Sequence, residues 1–481
     1  MKIALLAEGC YPFLTGGVST WCDQLIRGMP EHTFDIVPIV ATSGDRVVWE
    51  LPPNVGELRP VALWDWTPYR RRPGPATRVA FDGLYRSFLR AMLDPATAQA
   101  WFTESLRQMS EFAQSGNLTA SLHTDDAVDA LVDIWRELHP ARPLSVRDAA
   151  DATELIEHFL RPLSAPVVEA DICHAVSNGL PALLALMAKW RFGTPLVMSE
   201  HGVYLRERYL AWQGLRYRWP VKVIMVDFFR RLCQSAYRAS DLITPVNVYN
   251  QRWEMEHGAD PDVISTAYNG VSAQDYPQAI GEPVIPTLGW VGRIDPLKDL
   301  ETLIDAFALL HRKLPTVLLR LFGPTPVGNE WYEARLRLQT ERLGLARAVS
   351  FEGPVRPVTG AYHASTVVAL SSISEGLPYT VVEAMMCGRA TVSTEVGGVP
   401  EVVGNAGLVV PPRDAEAFAR ACEQLFTNDT LRHRCARAGR VRALEFFQLD
   451  RMLGTFRHMY AELGGPGLWV NRMDLAEVEM A

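Results

Sequence analysis

The sequence predicts an α/β protein of two doubly wound, parallel-sheet domains, the first interrupted by a helical insertion. Three observations carry that expectation. Short apolar strands alternate with helical stretches from the N-terminus onward. Between about residues 60 and 165 the alternation gives way to helical periodicity without strong strands. It resumes, and after the unpatterned, proline-containing stretch 278–286 a second strand–helix series begins. The 481 residues alone would suggest about three domains. The alternation favours two large units instead.

Residues 1 to 40 give one βαβ unit: strand Ile3 to Ala7, loop Pro12 to Gly17, amphipathic helix Val18 to Met29, strand Phe34 to Val40. The first residues share the look of a signal start, but the apolar run meets Glu8 with no cleavage site after it, which favours a buried parallel strand. Trp64-Asp65-Trp66 and Arg70-Arg71-Arg72-Pro73 open the insertion. Strands return at Ile172 to Val176, Leu196 to Ser199 and Leu242 to Pro245, so the first domain is expected over 1–277. The second begins at Thr287, with strands Leu288 to Val291, Val317 to Phe322, Val349 to Glu352, Val367 to Leu370 and Thr391 to Ser393, and runs to about 445. A helix over 446–462 and a tail over 463–481 complete the chain.

The formal charge is −8, with 55 acidic against 47 basic residues and no long run of one sign, which argues against a nucleic-acid surface. A small, locally neutralised anion remains open as a ligand. The best apolar stretch, Leu180 to Ala188, contains Pro181 and ends at Lys189, well short of the roughly 20 residues of a membrane helix, so a soluble, cytoplasmic protein is expected. The seven cysteines are scattered without a C-x-x-C pair, which fits reduced thiols in the core.

In an open parallel sheet the ligand crevice lies beyond the carboxyl ends of the strands, and the candidate polar residues fall there. Glu375 and Glu383 are separated by seven residues across the turn Gly376-Leu377-Pro378. Glu375 is thus on a loop and Glu383 about one turn into the helix that follows, so both carboxylates can face one ligand. The uncapped amides of that helix start, near Leu377, Pro378, Tyr379 and Thr380, favour an anion. Arg293 and Lys298 flank the loop leaving strand Leu288 to Val291, where they complement a diphosphate or serve as plain surface charge beside Pro296. Together these features describe a sugar-nucleotide site. Gly16-Gly17 lets backbone approach a phosphate or sugar, or is simply a turn; it is neither G-x-G-x-x-G nor a P-loop. His201 follows an apolar strand, as a capping or core histidine or as a group facing a ligand. Arg206 and Arg208 read better as solvating a helix face than as binding an acidic acceptor. Asp260-Pro261-Asp262 is the sole D-x-D and reads as a turn, so no metal is expected. Trp64, Trp66, Trp101 and Trp135 in the insertion suit a core better than a sugar platform.

Taken together, Gly16-Gly17, Ser199-Glu200-His201-Gly202, Asn269-Gly270-Val271, Trp290-Val291-Gly292-Arg293 with Lys298, Phe351-Glu352-Gly353 and Ser374-Glu375-Gly376 through Glu383 resemble the retaining family 4 glycosyltransferases of GT-B fold. The flanking strings and the helical insertion are similar to the PelF branch of Pel exopolysaccharide synthesis. The resemblance implies that Glu383 binds ribose hydroxyls, Glu375 the donor-sugar hydroxyls, Arg293 and Lys298 the diphosphate, with His201 near the reacting face and Gly17 beneath the phosphate or acceptor. Where the family often has Asp after the histidine, this chain has Gly202, so that role does not transfer. The implied reaction moves a hexosyl group from a nucleoside diphosphate sugar, UDP-glucose first, to a saccharide or other hydroxyl acceptor with retention, using no cofactor. Membrane-bound polysaccharide-synthesis proteins are the implied partners. Two other readings stand beside it: a silent nucleotide-binding scaffold of the same fold, and a sugar-nucleotide epimerase or phosphorylase.

Overall fold

The computed structural model describes residues 1–65 and 73–464. Residues 66–72, which include Trp66 and Arg70 to Arg72, and the tail beyond Gly464 lie outside the described residues. The chain forms two compact units, one from Met1–Thr244, Trp253–Ser265 and the chain from Gly454, the other from Pro245–Arg252 and Thr266–Leu453.

The first unit is built on strands β1 (Lys2–Glu8), β2 (Thr33–Val40), β3 (Val55–Leu58), β4 (Val61–Ala62), β5 (Ile172–Ala175), β6 (Leu196–Glu200) and β7 (Leu242–Pro245). Their order is β3-β2-β1-β5-β6-β7, with β4 also on β2. β1 pairs in parallel with β2 on one side and β5 on the other. Its apolar run Ile3 to Ala7 is fully buried, as a strand covered on both faces requires. The chain winds outward from β1 in both directions, so the switch point where ligands collect lies between β1 and β5. β3 and β4 escape the sequence reading because Val55-Gly56-Glu57-Leu58 and Val61-Ala62 are short and half-exposed.

Between β4 and β5, five α-helices among the described residues, from Pro75–Leu93 to Val146–Leu160, form the insertion. Phe81, Tyr85, Phe88, Phe102, Leu106 and Trp135 bury its apolar stripes in the same core as Phe228 of helix Trp219–Ala239. Thr124 and Ser145 cap two of these helices by accepting from Ala127 N and Asp148 N. Helix Leu449–Gly464 ends in the first unit, where Phe456 and Tyr460 lie against His174.

The second unit repeats the topology with β8 (Thr287–Val291), β9 (Leu318–Phe322), β10 (Val349–Gly353), β11 (Val367–Leu370), β12 (Ala390–Thr394) and β13 (Leu408–Val410), in the order β10-β9-β8-β11-β12-β13. Its switch point lies between β8 and β11, which pair in parallel. Trp290, Phe307, Leu319 and Phe418 anchor its core. In the first unit, Ile264, just past the turn Pro261–Val263, forms an isolated bridge with Ile243. The first unit's chain leaves at Ser265, earlier than the expected 277, and returns at Gly454. Gly270 explains why the following residues side with the second unit: a Cβ there would stand 2.6 Å from Gln448 O, and Val271 bridges to Gln448.

Candidate functional site

In the second unit, the loops leaving β8 and β11 are laced together. Asp295 accepts from Leu297 N at 2.9 Å and starts a tight turn, Pro296–Lys298, that Asp299 closes in the left-handed region, at φ 47°. Ile373 N donates to Leu297 O at 2.9 Å, and Ser371 Oγ donates to Lys298 O at 2.7 Å. Across that seam Lys298 Nζ donates to Glu375 Oε1 at 2.6 Å, and Ser372 Oγ donates to the same oxygen at 2.6 Å. Both side chains are largely shielded, so the pair is worth more than a surface ion pair. Arg293, on the same loop, is exposed and has no carboxylate partner among the described residues.

The helix after this turn, Tyr379–Met386, follows Pro378 with no side-chain cap, and Thr380 Oγ1 pins its first turn to Val291 O at 3.2 Å. Its first amides remain open to an anion. Glu383 sits on the inner face, where the Tyr362 hydroxyl donates to Oε2 and Tyr276 provides a second hydroxyl. Burial raises the Glu383 carboxyl above its ordinary value, and the two hydroxyls oppose that shift by stabilising the carboxylate.

Glu375 owes its position to residues the sequence reading passed over. Gly397 has φ 53°, and a Cβ there would stand 1.8 Å from Glu375 O. Gly398 N donates to Gly376 O at 3.0 Å, and Asn247 Nδ2 donates to the same carbonyl at 3.0 Å. Glycine is thus required at 397 for both its backbone conformation and its clearance. The available signal was Gly397-Gly398-Val399-Pro400, a Gly-Gly pair at a strand end before a short helix, the same pattern already weighed at Gly16-Gly17.

In the first unit, the switch point opens into a cavity of about 430 Å³ bounded by the ends of β1, β5 and β6, with Glu8, Ser177, His201, Tyr204, Glu207 and Arg208 in its wall. His201 lies edge-on to Trp21 with ring centroids 4.7 Å apart. Its Nε2 is shut off from solvent without a hydrogen-bond partner, and burial lowers its pKa to about 4, so the imidazole is neutral at physiological pH. Behind it, Glu200 is fully buried and accepts from Tyr237 OH at 2.7 Å. Burial raises the carboxyls of Glu200 and Glu254 above the carboxylate range; the Tyr237 hydroxyl and Glu254 oppose the rise at Glu200, whereas the Glu200 charge adds to the rise at Glu254.

The chain therefore gathers Arg293, Lys298, Glu375, Gly376, Leu377, Pro378, Tyr379, Thr380 and Glu383 at one switch point. Gly16, Gly17 and His201 belong to the other unit. There Gly16 is the N-cap residue of helix Gly17–Gly28. Arg208 corrects its sequence reading. It forms an ion pair with Glu8 and lies 4.8 Å over the Tyr204 ring, because β1 delivers a carboxylate beside it. Asp260 caps its own turn by accepting from Asp262 N at 3.0 Å. Trp135 is wholly buried with Nε1 bonded to Arg142 O at 2.7 Å, whereas Trp64 and Trp101 are exposed.

Residues 1–262 match the family model for DUF3492, a domain of unknown function. The chain belongs to the DUF3492 family. Residues 285–428 of this DUF3492 protein match the model for glycosyl transferases group 1. It is 28% identical over 305 residues to a D-inositol 3-phosphate glycosyltransferase of Saccharomonospora viridis, covering 59% of this chain and 69% of that one. To the protein of the same name from Nocardioides it is 27% identical over 378 residues, covering 71% and 80%. Against that of Streptomyces bingchenggensis it spans about half of the relative, 49%. Among solved structures, Anabaena HepE in complex with UDP and glucose superposes with a TM-score of 0.61 at 15% identity, covering 96% of this chain and 99% of that one. Sucrose-phosphate synthase from Thermosynechococcus elongatus gives 0.61 at 17%, covering 96% and 98%. These likenesses fix the fold of the DUF3492 protein as GT-B, two Rossmann-like domains.

Proposed function

We propose that this DUF3492 protein is a retaining, metal-independent hexosyltransferase. It moves a hexose from a nucleoside diphosphate sugar, UDP-glucose first, to a saccharide or other hydroxyl acceptor. The observation that carries the reading is the seam at the second unit's switch point, where Lys298, Ser372 and Glu375 meet beside the open start of helix Tyr379–Met386 and Glu383. Each group has a role suited to its setting. Glu383, buried and held by tyrosine hydroxyls, takes the ribose hydroxyls. Glu375 takes hydroxyls of the donor sugar. Lys298 keeps one N–H on Glu375 and offers its others, with exposed Arg293 and the helix amides, to the diphosphate. That fixed positive charge stabilises the departing phosphate oxyanion. The departing phosphate accepts the acceptor's hydroxyl proton as the glycosidic bond to it breaks and the new one forms on the same face. His201 and Gly16-Gly17 of the first unit, the histidine with its Nε2 unpartnered, are proposed to lie close to substrate.

The motif strings extend the proposal to a PelF-like role in exopolysaccharide synthesis in the cytoplasm, alongside membrane-bound polysaccharide-synthesis proteins. Calorimetric titration with UDP, GDP and ADP, without added metal, tests the core of it. UDP should bind selectively, and Glu383→Ala should abolish binding. Preference for another base would sink the UDP-glucose assignment, and no nucleotide binding at all would favour a silent scaffold.

A further inference from the structure

We infer that the first unit's cavity is a subsite for an uncharged saccharide, held through its hydroxyls by the Glu207 carboxylate, and that it rejects a phosphorylated acceptor. This deepens the transferase reading and rests on it for the word acceptor. The cavity, about 430 Å³, has the volume of a small-ligand site and stands outside the carboxyl ends of three parallel strands. Val18, Val176 and Ala211 give it apolar wall, as the C–H faces of a sugar ring need.

Its charge selects among ligands. Arg208 is the one lysine or arginine among the lining residues, and it is committed to Glu8. His201 is neutral because burial lowers its pKa to about 4, so it adds no positive charge at pH 7. Glu207 has no salt bridge among the described residues; burial raises its carboxyl and the charges of Arg208 and Arg206 oppose that rise, so the lining residues, Glu8, Glu207 and Arg208 among them, hold one carboxylate more than cations. A phosphate would meet that carboxylate with no unpaired cation among the lining residues to offset it, whereas a neutral hydroxyl donates to it in a charge-assisted hydrogen bond. The cited relatives are named for inositol 3-phosphate, so on this reading the DUF3492 protein departs from them in acceptor class.

Gly202 fixes where the carboxylate stands. A Cβ at 202 would lie 2.0 Å from Glu207 Oε1, so the missing side chain leaves the space that the carboxylate occupies, next to His201. The site can therefore be emptied in two ways. Glu207→Gln removes the charge in place, and Gly202→Ala pushes the flexible carboxylate aside without deleting it.

Saturation-transfer NMR on the full chain, with D-glucose and glucose 6-phosphate as probes, tests the inference. D-glucose should bind and glucose 6-phosphate should bind about tenfold or more weaker. Both single variants should weaken D-glucose about tenfold, Glu207→Gln should narrow the gap between the probes, and the double variant Gly202→Asp/Glu207→Ala should restore binding. No D-glucose signal from the unaltered protein, equal binding of the two probes, or D-glucose binding untouched by Glu207→Gln would each overturn it. UDP titration of the same samples separates the two readings. Intact UDP binding with no effect at Glu207 sinks this inference alone, and the predicted sugar pattern without nucleotide binding sinks the transferase alone.

Discussion

The two units wind the same way, β3-β2-β1-β5-β6-β7 and β10-β9-β8-β11-β12-β13, yet their switch points are made of different chemistry. In the second, backbone and glycine do the shaping: Gly397 and Gly398 press against the Glu375-Gly376 carbonyls, and a lysine and a helix start supply positive charge. In the first, side chains do it, with a buried histidine, a carboxyl pair that burial raises and an arginine already matched to Glu8. On the proposed readings, one scaffold thus offers an anion-reading crevice and a hydroxyl-reading one. What separates them is where the fixed charge is left unpaired.

The comparison breaks most easily at Lys298. Lys298→Ala removes the shielded cation and leaves Glu375 with only Ser372, so on the transferase reading turnover should fall about 100- to 1000-fold while D-glucose binding to the first unit is unchanged. A loss of less than tenfold in steady-state rate would mean that the diphosphate charge is met elsewhere. Next comes Gly397→Ala, which forces a Cβ onto a backbone carbonyl from a left-handed φ. It should cost about 2 to 3 kcal/mol in urea unfolding of the second unit and abolish nucleotide binding with it. Normal stability would show that the 375–376 loop is free to move away.

The candidate site was more legible than its supports. Arg293, Lys298, Glu375 and Glu383 could be picked out because strand ends, a proline turn and a helix start are local signals, and the topology then brings those ends together. Gly397, Asn247, Tyr362 and Glu207 could not, since each matters only through a partner distant in the fold or, for Glu207, through the empty space at Gly202. The same limit applies to Arg208, whose partner Glu8 lies 200 positions away. Strands were legible where both faces are buried, as in β1 and β8, and missed where they are short and half-exposed, as in β3 and β13.

A smaller effect sharpens the account of Glu383. Tyr362→Phe deletes the hydroxyl that holds one carboxylate oxygen but keeps the buried ring. UDP affinity should weaken about three- to tenfold by calorimetry, with no change in D-glucose binding. Unchanged affinity would assign the positioning to Tyr276 alone.

The smallest expected effect concerns pH, and here the units should part company. In the first, burial raises the carboxyls of Glu200 and Glu254 from 4.5, so the folded state keeps protons that the unfolded chain releases. That contribution is fully present below the unfolded value and is lost as pH rises through the raised folded values. His174 and His201 act in the opposite sense. Burial lowers them from 6.5 to about 3 and about 4, so their contribution is present above 6.5 and is lost as pH falls below it. The first unit is therefore squeezed from both sides of neutrality. In the second unit, among the described carboxyls, burial raises that of Glu383, opposed by two tyrosine hydroxyls. Native-state hydrogen exchange resolves the units by strand: from pH 6 to pH 8 the opening free energy of β6 amides should fall relative to that of β8, and Glu254→Gln should remove the difference. Equal pH dependence in the two strands, or a variant that leaves it in place, would mean that the carboxyl pair is solvated on a faster timescale than opening, and that the two switch points are electrostatically more alike than their lining residues imply.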